Sequence, residues 1–116
     1  MRVPFISPKN LPSIFRKAST LIWVSEYEGF GLPVLEALAS GCPVITSTQG
    51  SLAEVAGEAA LFVKNPSDTN AIVNHIERIL TNESLVRDLA TKGKERAHIF
   101  SWDACAKITL DALLHL

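Results

Sequence analysis

The chain has 116 residues, a formal net charge of -1 at pH 7, and 47% hydrophobic side chains. That length fits one domain able to bury a core without staples. The near-neutral balance of 11 Lys and Arg against 12 Asp and Glu argues against a duplex nucleic-acid partner or an acidic disordered tail.

The first eight residues lack the apolar region of a signal peptide, and the densest apolar stretch, residues 59–63, is too short to span a bilayer. These features predict a soluble, cytoplasmic domain. Cys42 and Cys105 belong to no CxxC pattern, so they are expected to be two partly buried free thiols.

Residues 3–6 form a candidate strand, weakened by Pro4. Leu11, Ile14, Phe15 and Ala18 follow helical spacing, with Asn10 as cap and Pro12 in the first turn. Residues 20–25 are β-rich without alternation, which predicts a strand buried on both faces, as in a parallel sheet. Gly31 and Pro33 open a helix to about Ser40; Gly41 ends it and Pro43 prevents its continuation. Its core stripe is read as Val34, Leu35, Leu38 and Ala39, with Glu36 and Ala37 directed elsewhere. Residues 44–47 and 60–63 are two further strand candidates.

The second half is helical. Pro66-Ser67-Asp68 starts a helix with the stripe Ile72, Ile76, Ile79 and Leu80. Asn82 can cap a second helix through Leu85, Leu89 and Ala97. Ser101 can cap a third, with Trp102, Cys105, Ile108 and Ala112 on one side. Strands separated by helices indicate βαβ units. The expected fold is therefore α/β: a partial Rossmann-like parallel sheet of three to four strands, flanked by helices, with a helical C-terminal tail.

Residues 25–37 carry the chemical information. They follow a strand and open a helix, where ligands of open α/β sheets bind. A helix N-terminus presents free N–H groups and a positive dipole end, which favour an anion such as phosphate. Gly29 and Gly31 remove side chains where a ligand would approach the backbone. Glu28 precedes the glycines, while Glu36 lies about 6 Å along the helix axis from Leu32. Carboxylates repel phosphate, so two of them beside an anion site suit hydroxyl groups on either side of it. Ribose, diphosphate and hexose have that order in a nucleotide-sugar.

The run Glu28-Gly29-Phe30-Gly31-Leu32-Pro33 followed by Glu36-Ala37 resembles the E-x7-E motif of retaining GT-B glycosyltransferases of family four. The likeness continues through Ser40-Gly41-Cys42-Pro43-Val44-Ile45, residues 51–55, Gly57, residues 60–63, Pro66 with Asp68, and Phe100-Ser101-Trp102. The family's usual Pro-Ser pair before the motif is here Val24-Ser25. The resemblance implies that Glu28 is the catalytic-site contact to the donor's sugar hydroxyls. It implies that Gly29, Phe30, Gly31 and Leu32 meet sugar and diphosphate through backbone, and that Glu36 accepts from the ribose. It implies retention of anomeric configuration, no cofactor and no bound metal. It also places the family's acceptor domain, its histidine, and the diphosphate-holding Arg and Lys upstream of this sequence.

Residues 1–116 are therefore read as a single partial, donor-binding domain, with nucleotide-sugar as ligand and a separate N-terminal acceptor domain as partner. The alternative is a catalytically incomplete module that only binds nucleotide or another protein. A dinucleotide oxidoreductase is disfavoured, since no third glycine stands at the required offset.

Other residues invite plainer readings. Glu54 is either a loop contact to ligand or a solvated side chain. His75, His98 and His115 are expected on the surface without partners. Trp23 and Trp102 are expected to pack. The charges of residues 87–96 are expected to form a solvated face.

Overall fold

The computed structural model describes residues 2–116. Its elements in chain order are α1 (Leu11–Lys17), β1 (Leu21–Trp23), α2 (Leu32–Ala39), β2 (Val44–Ser47), α3 (Leu52–Ala56), β3 (Leu61–Val63), α4 (Thr69–Thr81), α5 (Glu83–Ala97) and α6 (Trp102–Leu114). The strands form one parallel sheet in the order β1-β2-β3, with Leu21 opposite Val44 and Ile45 opposite Leu61. The expected α/β architecture with a three-stranded parallel sheet is what the chain adopts.

β2 lies between two apolar clusters and is buried at every position. Val44 joins Val34, Leu38, Leu52 and Val55 on the face covered by α2 and α3. Ile45 joins Val63 and Ile79 on the face covered by α4. Burial on both faces is what a central parallel strand undergoes, here with apolar Val44 and Ile45 followed by the buried polar Thr46 and Ser47. α5 crosses close to α2 at Gly93, where a Cβ would lie 3.2 Å from both the Cδ2 and the carbonyl oxygen of Leu38.

Three helix starts follow their caps. The side chains of Asp68, Asn82 and Ser101 accept from the N–H of Ala71, Leu85 and Ala104, each at 3.0 Å. Such caps satisfy donors that a helix start leaves unpaired. Asn10 stands at the start of α1 but makes no side-chain cap bond.

Several expectations are corrected. Residues 3–6 form no strand. β1 is not buried on both faces: Leu21 and Trp23 pack on the α2 side, while Ile22 points to the other face and is 41% exposed. The cause is position: among the described residues β1 pairs with β2 alone. In α2 the buried arc is Val34, Ala37 and Leu38, whereas Ala39 is exposed. Ala37 thus belongs to the core, and Glu36 remains outward. In α4, Ile79 is buried and Ile72 and Ile76 pack beside it, but Leu80 is exposed. The short helix α3 has no counterpart in the expected elements.

The C-terminal helix departs furthest from expectation. α6 buries none of its residues, and Trp102 is 80% exposed rather than packed. The chain is elongated, with extents of 51 × 31 × 31 Å.

His75 has a partner, its Nε2 lying 2.9 Å from the carbonyl oxygen of Phe62. His115 lies near its own helix, with Nδ1 2.8 Å from the Asp111 carbonyl oxygen. Arg96 is not part of a solvated face, since its guanidinium donates to the carbonyls of Glu54 and Val55.

The thiols differ. Cys42 is buried and Cys105 is exposed. Burial pushes the Cys42 thiol up from its ordinary value, because a thiolate loses hydration there. The thiolate is the reactive form. A thiol reagent at mildly alkaline pH should therefore titrate Cys105 alone in the folded chain and both cysteines after denaturation.

Candidate functional site

The loop between β1 and α2 leaves the sheet at its carboxyl edge, and buried hydroxyls of β2 hold it. Thr46 Oγ1 donates to the Trp23 carbonyl at 2.7 Å. Ser47 Oγ donates to the Ser25 carbonyl at 2.7 Å and accepts from the Ser25 N–H at 3.0 Å. Both side chains have no exposed surface, so these bonds also satisfy their own polar atoms. The sequence reading assigned neither residue a part in the site. The signal was there: polar side chains ending a buried strand require partners.

Further along, Gly50 and Ser51 fix the backbone of Glu28. Gly50 has φ +60°, and a Cβ there would lie 2.7 Å from the Glu28 carbonyl oxygen. Ser51 Oγ donates to the same oxygen at 3.3 Å. The Glu28 side chain is half-buried, and its Oε2 accepts from the Trp23 indole Nε1 at 3.3 Å.

The two glycines of the motif do different work. Gly31 has φ +93°, and a Cβ would lie 2.7 Å from Leu52 Cδ2, so conformation and packing alone require glycine. Gly29 has no positive φ, and a Cβ there would meet nothing within 4 Å. Its backbone is simply open.

Gly31 also begins α2. Its carbonyl accepts from the N–H groups of Val34 and Leu35, at 3.0 and 3.2 Å. Pro33 contributes no donor, and no side chain caps the helix. The N–H groups of Gly29, Phe30, Gly31 and Leu32 find no acceptor among the described residues. Leu32 opens α2 and Gly31 is its N-cap, so the unpaired donors lie at and just before a helix start, where an oxyanion is favoured.

The predicted site residues do not share one cavity. Glu36 is exposed and edges a cavity of about 270 Å³ between α1 and α2, with Leu11, Phe15, Arg16 and Ser40. The side chains of Phe30 and Leu32 instead enter an apolar groove of about 590 Å³, shared with Ile99, Phe100, Trp102 and Ile108. The Phe30 and Phe100 rings meet edge to face at 5.9 Å. Glu28 lines neither cavity. Glu54 is exposed. Among the described residues, no group of three His, Cys, Asp or Glu side chains is placed to hold a metal ion. No helix there is long and apolar enough to cross a membrane.

A glycine-bearing loop at the carboxyl edge of a parallel sheet, opening a helix between two acidic residues, agrees with the comparison to known proteins. The family model described as glycosyl transferases group 1 matches residues 2–96, and the chain belongs to that family. It is 42% identical over 109 residues to the O-antigen chain mannosyltransferase B of Escherichia coli, covering 93% of this chain and 28% of that protein. It is 36% identical over 109 residues to the MMP alpha-(1->4)-mannosyltransferase of Mycolicibacterium hassiacum, covering 90% of this chain and 26% of that protein. Among solved structures it resembles the sucrose-phosphate synthase from Thermosynechococcus elongatus, with a TM-score of 0.82 and 36% identity over 97% of this chain and 29% of that one. The chain thus spans less than a third of these relatives.

The contrast between the glycines is testable by denaturant unfolding. Gly31→Ala should cost about 1–3 kcal/mol through strain and collision with Leu52. Gly29→Ala should change stability by less than about 0.5 kcal/mol.

Proposed function

We propose that this chain is the donor-binding part of a retaining glycosyltransferase and holds a nucleoside diphosphate sugar. The free N–H groups of residues 29–32 carry the reading. They offer a diphosphate several donors at a positive helix end. The two carboxylates then take hydroxyls: Glu28 those of the transferred sugar, at the reacting centre, and Glu36 those of the ribose. The separation of Glu28 from the Glu36 cavity suits an extended ligand, in which sugar and ribose lie on opposite sides of two phosphates.

In this reading the metal-independent chemistry implied by the family likeness needs no ion at the diphosphate, because the N–H groups meet part of its charge and the Arg and Lys of the family's pattern meet the rest. Arg16, which edges the Glu36 cavity, adds a cation on the nucleotide side. Several of the relatives are named as mannosyltransferases, so GDP-mannose is the first donor to offer. The chain's short span of its relatives supports a second reading alongside the first: the 116 residues bind donor but are incomplete for transfer. An acceptor-binding domain, joined or separate, then completes the enzyme.

A charge-assisted hydrogen bond contributes about 1.5–3 kcal/mol. Calorimetric titration should therefore show Glu36→Ala binding GDP-mannose about 10- to 150-fold more weakly than the parent chain. An unchanged dissociation constant would reject the ribose role. The same samples, assayed for released GDP, should show no turnover; clear turnover would reject incompleteness.

A further inference from the structure

The proposed donor site contains a residue that the E-x7-E motif does not include. We infer that Trp23 is a positioning residue, whose indole N–H holds the Glu28 carboxylate in the orientation that receives the donor sugar. The inference rests on the donor-site reading above.

Glu28 is restrained at both ends. Its backbone is fixed by the close approach of Gly50 and by the Ser51 hydroxyl. Its carboxylate is fixed by Trp23, through Oε2 alone. An ionised carboxylate has two acceptor oxygens, so Oε1 keeps its capacity for a ligand hydroxyl. Indole has one donor and no acceptor, so it can orient Glu28 but cannot compete with it for sugar hydroxyls.

Trp23 is itself anchored. It ends β1, its carbonyl receives the Thr46 hydroxyl, and its side chain packs against the cluster beneath α2. A phenylalanine there would keep much of the apolar contact and lose the N–H. The hydrogen bond therefore gives tryptophan a function that packing does not. It removes rotamer freedom from Glu28 before the ligand arrives, a cost otherwise met on binding.

The effect should fall on the sugar and spare the nucleotide. The chain has two tryptophans, so ¹⁵N-labelled Trp102→Phe protein shows one indole N–H resonance, that of Trp23. In that background, Glu28→Gln should move the resonance without ligand, which checks the contact itself. GDP-mannose should move it further than GDP does. In the parent sequence, Trp23→Phe should weaken GDP-mannose about tenfold and leave GDP affinity unchanged. Circular dichroism confirms that the variant is folded; if it is not, the resonance shifts decide the matter.

Equal loss of GDP and GDP-mannose in Trp23→Phe, or an indole resonance blind to the sugar, would overturn the positioning role while leaving donor binding intact. Failure of the parent chain to bind GDP-mannose, UDP-glucose or any other nucleotide-sugar offered would instead overturn the donor-site reading, and this inference with it.

Discussion

Two hydroxyls without solvent exposure, on Thr46 and Ser47, set the geometry on which the rest of the site depends. They take up the carbonyls of Trp23 and Ser25 where β1 runs out. A buried carbonyl left unpaired costs about 1–3 kcal/mol, so the bonds leave this loop little freedom to lift away from β2. β2 in turn is enclosed by apolar side chains on both faces. Order therefore spreads outward from the central strand, first to the start of the loop, then through Gly50 and Ser51 to Glu28, and through Gly31 to the start of α2.

What could be read from the sequence was mostly local. The caps at Asp68, Asn82 and Ser101 act within three residues of themselves, so the sequence contains both partners. β2 was visible because an apolar run bounded by Pro43 has few other uses. β1 looked similar and behaves differently, since burial depends on neighbours and, among the described residues, β1 has one strand beside it. α6 failed for the same reason: an apolar stripe states what a helix can bury, and the described structure supplies nothing to bury it. α3, with five residues, is too short to show a period.

The candidate site was legible as a motif and opaque as a shape. The spacing of Glu28, the glycines and Glu36 pointed to the loop, and the family likeness agreed with it. The bond from Trp23 to Glu28 and the sorting of Phe30 and Glu36 into different cavities depend on how eight loop residues turn between β1 and α2. No periodicity encodes that turn. Packing and conformation alone account for Gly31, while Gly29, with open space around it, is the glycine that packing does not explain.

The edge-to-face contact of Phe30 with Phe100 bears on where this unit can be cut. Similarity to the family model stops at residue 96, and a chain trimmed there would end just short of Phe100. Arg96, stacked 5.3 Å from the Phe100 ring, would lose its lid, and Phe30 would lose the surface that steadies it beside the glycines. The boundary drawn by ancestry is thus narrower than the mechanical one, and shortening the chain to the former would loosen a loop nearly seventy positions away.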